Sequence, residues 1–212
     1  HGLYATFMSK IWHGESGNGY HVHQSLWDLE KQKNLFSKGD HEMSDLMFAY
    51  LGGLLKHGRE LYVLGSWSVN AYKRVAPYSY APTRVNWGID NRTTAIRPVL
   101  AGAGTRLENR MGAAEGNPYL LFAANIASGL EGIKNNYPVP EKVEGDGYLT
   151  NSGDALPLSL EEATAELEES KIAKHHFGED FVDTFITLCK HETTEFRKVV
   201  HDWERDRYME MS

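Results

Sequence analysis

The chain has 212 residues, 41 % of them apolar and 24 % charged, within the range of a soluble globular domain with its own core. A formal net charge of −7 argues against broad binding to a phosphate backbone, which requires a basic surface. No apolar run approaches the roughly 18 residues of a membrane span, and the single cysteine, Cys189, has no partner for an internal disulfide. Together these predict a soluble, cytoplasmic protein with no nucleic-acid and no membrane partner.

Residues 3–9 read as a short buried strand. The chain enters it directly from His1, without an initiator methionine or a targeting segment, which reads as a piece of a longer protein. Residues 13–19 form a turn-rich loop with three glycines. Residues 20–28 form a second strand, whose period-2 alternation puts His21, His23 and Ser25 on one face with Val22 and Leu26 behind. Residues 30–41 are a polar hairpin or loop. A helix follows from Ser44, a suitable N-cap, to about Leu61, and Gly52-Gly53 within it suits close packing.

Strands over 83–89 and 93–97 flank the turn Asp90-Asn91-Arg92. A strand over 105–110 places Arg106, Glu108 and Arg110 on one face. Asn117-Pro118 opens a helix that runs to a stop at Gly132. Residues 133–158 are a Pro/Gly-rich loop. Ser159 and Glu162 have capping-box spacing at the head of a short acidic helix, and a last helix runs from about Asp180 to Met209.

Two groups of residues carry chemistry. Two histidines at i, i+2 on a strand reach one cleft, where neutral imidazole ligates metal or hydrogen-bonds phosphate. The alternative is a structural pair of strand histidines. Arg74, Arg92, Arg97, Arg106 and Arg110 lie near turns or on strand faces, and Arg clamps carboxylates and phosphates bidentately. Glu108, between two arginines, is held ionised and suits a hard cation. Any one of these arginines, taken alone, reads more readily as a solvated surface residue. The set as a whole describes a site for a polyanion, a divalent metal and a carboxylate.

The segment from Gly17 to Trp27 resembles the ATP-binding signature of glutamine synthetases. Asn70-Ala-Tyr-Lys-Arg74, Asn91-Arg92 with Arg97, Arg106-Leu-Glu108-Asn-Arg110 and Asn117-Pro-Tyr-Leu follow in the family's order. The resemblance covers essentially the whole chain and implies an α+β fold, a mixed and largely antiparallel sheet with packed helices. It places residues 1–212 in the C-terminal part of a glutamine synthetase-type catalytic domain. The family's N-terminal β-grasp domain and the first part of the catalytic domain, with its Glu-x-Glu strand, then lie outside this sequence.

The resemblance also implies roles. His21 and Glu108 would ligate the metal, Mg²⁺ or Mn²⁺, nearer the ATP phosphates. His23, Ser25, Arg97 and Arg106 would contact ATP. Gly17, Arg74 and Arg110 would bind glutamate, and Arg92 and Arg97 would neutralise the transferring phosphoryl group. The implied activity is ATP-dependent joining of glutamate to an amine through γ-glutamyl phosphate, in a homo-oligomeric ring.

Three positions depart from the family pattern. Tyr80 stands where the family usually has a Glu that binds ammonium, which favours a larger or less polar amine over ammonia. Ser16 stands for an Asn, and residues 100–105 lack a lysine often found near the nucleotide. The other readings are a true glutamine synthetase using ammonium and a non-catalytic relative.

Overall fold

The computed structural model describes residues 1–211. Its organising unit is a three-stranded antiparallel sheet in the order β1 (Val22–Gln24), β6 (Arg106–Asn109), β5 (Ile96–Val99). Val22, Asn109 and Ile96 are register partners and are all buried. The next row, His23, Glu108 and Arg97, points to the opposite face, as strand alternation requires. Two short pairs complete the β structure: β2 (Trp27–Asp28) with β3 (Lys33–Asn34), and β4 (Arg84–Val85) with β7 (Asp154–Ala155). All named pairings are antiparallel, and an isolated parallel bridge joins Trp87 to Ile96.

Helices α1 (Asp45–His57) and α3 (Pro118–Asn135) pack on each other beneath the sheet. Ser44 caps α1 by accepting from the Met47 amide, and Asn117 caps α3 by accepting from the Tyr119 amide. The helices cross at glycines. A Cβ on Gly53 would sit 1.9 Å from the Ser128 carbonyl oxygen, and one on Gly132 would sit 2.2 Å from that of Ala49. A polar network ties this layer to the strands. Asn109 Nδ2 and Gln24 Nε2 both donate to Asn125 Oδ1, at 2.8 and 2.9 Å, and the Tyr50 hydroxyl donates to Gln24 Oε1 at 2.8 Å. Buried amides must find such partners or destabilise the fold.

A short helix, α2 (Val69–Tyr72), leads into Arg74. A helical layer of α4 (Leu160–Glu169), α5 (Lys171–Phe177) and α6 (Glu179–Lys198) closes the core, followed by α7 (Asp202–Tyr208). Cys189 lies in this layer, and burial pushes its thiol up to about 11, so it behaves as an apolar packing group. Among the described residues no helix is long and apolar enough to cross a membrane.

Several elements differ from the sequence expectation. Residues 3–8 form no strand and are exposed, because no strand among the described residues pairs with them. Helix α1 stops at His57 rather than at about Leu61, and a 3₁₀ turn at Tyr62–Gly65 follows. Helix α3 passes Gly132 and ends at Asn136, which adopts the left-handed conformation at φ 47°. Ser159 accepts from the Glu162 amide, but Glu162 returns its bond to the Leu158 amide, one residue earlier than a capping box would place it. The expected last helix is two helices. Val199 is extended, and His201 with Glu204 forms a capping box that starts α7 afresh.

The glycine crossing gives a direct test. Gly53→Ala should destabilise the protein by about 3 kcal/mol in denaturant unfolding, because backbone rather than a flexible side chain stands in the way. Gly104→Ala, whose nearest neighbour is 3.6 Å away, should change stability by no more than roughly 0.5 kcal/mol.

Candidate active site: a carboxylate held by three strands and a loop

Glu108 sits at the centre of β6 and is 3 % exposed. The cross-strand register sets His23 on one side of it and Arg97 on the other. Arg97 NH1 lies 3.0 Å from Oε2, and Arg110 NH1 lies 2.9 Å from Oε1. His21 Nδ1 lies 3.0 Å from Oε1, and His23 Nε2 lies 3.7 Å from the same oxygen. Burial alone would raise the carboxyl, but hydrogen bonds from His21 and Arg97 and the charge of Arg110 outweigh it and hold Glu108 at about 2. Carboxylate, guanidinium and imidazole thus form one charged cluster on the sheet face away from the α1–α3 layer.

His23 is fixed from its other side. Arg106 Nε donates to His23 Nδ1 at 3.0 Å, which leaves the ring proton on Nε2. Burial lowers the pKa of this ring and the charges of Arg106 and Arg97 add to that, against the opposing pull of Glu108, so the neutral form is favoured. His21 is arranged differently. Its Nδ1 faces Glu108, so with the proton there Nε2 keeps its lone pair for an incoming ligand, the pattern of a carboxylate-oriented metal histidine.

Arg74 is 3 % exposed and donates to the carbonyls of Arg110 and Met111 at 2.9 and 3.2 Å. Gly17 lies against it, since a Cβ there would come within 3.0 Å of Arg74 Cγ and 2.6 Å of the Ser9 carbonyl oxygen. The loop carrying Gly17 is itself tied down. Asn18 N donates to the Ser9 carbonyl at 2.8 Å, and Asn70 exchanges two hydrogen bonds with the Lys10 backbone. Gly17, Arg74, His21, Glu108 and Arg110 therefore meet in one place although they are distant in sequence.

Not every candidate joins them. Arg92 is exposed in the turn before β5 and forms no ion pair among the described residues. The Ser25 hydroxyl accepts from Trp27 Nε1 at 2.9 Å instead of contacting the histidines. Conversely, some contributing residues gave no sequence signal. Asp90, read only as a turn residue, accepts from Arg97 NH2 at 2.7 Å and so braces the guanidinium that holds Glu108. Glu115 accepts from both Ser9 and Ser68 and joins the glycine-rich loop to α2. The carbonyl of Tyr80 accepts from Arg110 NH2 at 3.2 Å, and Tyr78 and Tyr80 both take positive φ, 62° and 61°. A serine hydroxyl positions this strained loop, with Ser79 Oγ donating to the Arg74 carbonyl at 3.0 Å.

The donor set fits a hard or borderline cation in part. His21 offers Nε2, and Glu108 Oε2, which carries one hydrogen bond, keeps a lone pair. Two protein donors are too few to hold Mg²⁺ by themselves. Anions are served better. Arg97 and Arg110, which both pair with the Glu108 carboxylate, each keep a buried Nε without a partner among the described residues, and Arg106 and Arg74 stand beside them on His23 and on the Arg110 carbonyl.

The site is thus an antiparallel sheet face of clustered arginine, histidine and carboxylate beside a glycine-rich loop. The comparisons name the family: residues 1–208 match the family model "Glutamine synthetase, catalytic domain", and the chain belongs to that family. It is 35 % identical to a glutamine synthetase of Methanococcus voltae over 98 % of its own length and 48 % of that protein's. It is 38 % identical to the gamma-glutamylethanolamide synthetase GlnA4 of Streptomyces coelicolor, over 99 % of this chain and 44 % of that one. Among solved structures, a GmaS/ADP complex superposes with a TM-score of 0.86 at 31 % identity, over 96 % of this chain and 49 % of the other. The chain thus spans about half the length of the relatives it matches.

Removing the Glu108 charge would leave the buried Arg110 and the half-buried Arg97 guanidinium groups without their shared carboxylate. In buffer with a chelator, Glu108→Gln should destabilise the protein by about 3 kcal/mol. The pH dependence has a definite sign. A carboxyl held near 2 in the fold, against 4.5 when unfolded, contributes its full stabilisation above about pH 4.5 and loses it as the pH falls towards 2. Acid titration of stability between those values should therefore be steeper in the wild type than in Glu108→Gln, and equal slopes would contradict the assignment.

Proposed function

We propose that the protein containing this chain is an ATP-dependent ligase that joins the γ-carboxyl of glutamate to an amine other than ammonia, through γ-glutamyl phosphate. The observation that carries the ligase reading is the Glu108 cluster, which sets anion-binding arginines and a neutral imidazole beside a glycine-lined loop. Phosphoryl transfer asks a protein mainly for positioning and for neutralisation of charge, and this cluster is suited to both.

In this reading Arg74 and Arg110 hold the carboxylates of glutamate, with Gly17 leaving room for them. Arg97 neutralises the phosphoryl group in flight and His23 and Arg106 bind ATP, with Arg92, in the exposed turn before β5, and Ser25 assigned supporting contacts to the phosphoryl group and ATP from outside the cluster. His21 and Glu108 would give two of the donors to Mg²⁺ or Mn²⁺, which when bound would supply Lewis-acid polarisation of phosphate oxygens. Within the chain, Arg97 is oriented by Asp90 and Glu108 together, which fixes its guanidinium before substrate arrives. The γ-carboxylate first takes the γ-phosphoryl group of ATP, which releases ADP; the amine nitrogen then attacks the acyl carbon of γ-glutamyl phosphate, loses a proton and expels phosphate, which leaves the amide. The remaining metal donors are assigned to the protein outside residues 1–212, and the whole protein to a homo-oligomeric ring in which neighbouring subunits share sites.

The acceptor is argued from Tyr80. An aromatic phenol stands where a carboxylate would bind and deprotonate ammonium, and its side chain is 68 % exposed on a loop pinned beside Arg110. Tyr78 packs on Tyr148 at 5.3 Å, so the loop offers aromatic surface rather than negative charge. The relatives themselves fall on both sides, a glutamine synthetase of Pyrococcus abyssi and the gamma-glutamylethanolamide synthetase each being 38 % identical, so the choice rests on Tyr80.

An acceptor screen on the full-length protein decides it. Ethanolamine, methylamine, putrescine and anilines should include at least one acceptor used with kcat/KM about tenfold above ammonium, and Tyr80→Glu should shift that ratio back towards ammonium by a similar factor, ~1.4 kcal/mol. Ammonium as the best acceptor would instead make it a glutamine synthetase in the strict sense. Residues 1–212 alone should release no ADP in a glutamate-dependent manner, because two metal donors do not complete a site. Turnover comparable to the full-length enzyme would overturn that.

A further inference from the structure

The nucleotide and glutamate chemistry leaves unused a group of ligating side chains on another face. Glu131 lies in the last turns of α3, and His175 and His176 lie at the end of α5. One donor atom from each lies within 4.8 Å of the other two, the sole such group of three histidine, cysteine or acidic residues among the described residues. We propose that Glu131, His175 and His176 form a site for Zn²⁺ that clips α5 to α3.

The geometry supports a single ion between them. His176 Nε2 is 3.2 Å from Glu131 Oε1. The two imidazoles stand at 73° with centroids 4.8 Å apart, so their nitrogens approach from different directions. Donors around one zinc lie about 2.0–2.2 Å from the metal, which puts them roughly 3.3–3.6 Å from each other, and small rotations of exposed side chains bridge the difference. The carboxylate is already aimed. Asn135 Nδ2 donates to Glu131 Oε2 at 2.7 Å and to the Glu131 carbonyl at 2.9 Å, which turns Oε1 towards the histidines. Such a bond from outside the ligand set is what orients ligating groups in metal sites.

The chemistry selects the ion. Two imidazoles and one carboxylate suit a borderline transition cation, and they leave a fourth position for water. The last turn of α3 adds the negative end of its dipole. One cation competes: Lys134 Nζ lies 3.6 Å from Oε1, but its side chain is 67 % exposed and free to swing into solvent. The clip would join α5 to a helix whose other face meets α1, and so fasten the outer helical layer to the core.

The test titrates ZnCl₂ into the full-length protein by calorimetry with MgCl₂ at saturation, alongside the Co²⁺ visible spectrum as a report of coordination. Wild type should bind one equivalent with Kd on the order of micromolar, show d–d bands of a low-coordinate site, and melt a few degrees higher with zinc. His175→Ala/His176→Ala should lose that equivalent and the thermal shift, while its circular dichroism in zinc-free buffer stays that of wild type. Glu131→Gln keeps both rings and should bind about tenfold more weakly, and it serves as the test if the double variant fails to fold. Retention of the equivalent by the double variant would show the zinc to be adventitious on other histidines, and no binding by wild type would overturn the site outright.

Discussion

Everything on the functional face depends on one buried carboxylate. Glu108 is placed in the middle strand, where strand pairing delivers a histidine from one side and an arginine from the other at the same level. An isolated carboxylate at that depth would be neutralised by its environment. Here three cationic or hydrogen-bonding partners keep it charged, and it in turn keeps two guanidinium groups from repelling each other. The arrangement is costly to bury and fragile to truncate, which is the ordinary state of a buried ion cluster. A buried cluster of this kind gives the packing little that apolar side chains would not give better.

The scaffold under this cluster is built to hold the strands still. The α1–α3 pair approaches closely enough that backbone meets backbone at Gly53 and Gly132, and the Asn125 network fastens both β1 and β6 to it through amide hydrogen bonds. A rigid floor matters because the row above it consists of long side chains. Arginine positions a charge well only when the carbonyls and carboxylates around it are fixed, as those of Arg110 and Met111 are for Arg74.

Much of this was legible in the sequence, and the reasons for the exceptions are physical. Alternation placed His21 and His23 on one strand face, and likewise Arg106, Glu108 and Arg110, because the strand period is local. Which strands would lie side by side is a long-range choice, so the meeting of His23 with Glu108 and Arg97 was not readable from spacing, although the resemblance to glutamine synthetases had grouped the residues. Asp90 looked like turn chemistry, and only the fold brings it to Arg97. The strand expected at residues 3–9 depended on a pairing partner that the described residues do not supply. The continuous helix expected to Met209 is interrupted where Val199 turns extended and the cap at His201 starts a new helix, a break of backbone conformation that side-chain composition does not announce.

The bond from Arg110 to residue 80 reaches a main-chain carbonyl, a group that every amino acid carries. The loop is thereby anchored whatever side chain stands at that position, and the Tyr80 ring itself is largely outside the packed interior. Mutational drift at residue 80 is consequently uncoupled from the integrity of the charged cluster only ångströms away. A change of side chain at residue 80 therefore alters what the loop presents to solvent while the main-chain tether to Arg110 stays in place.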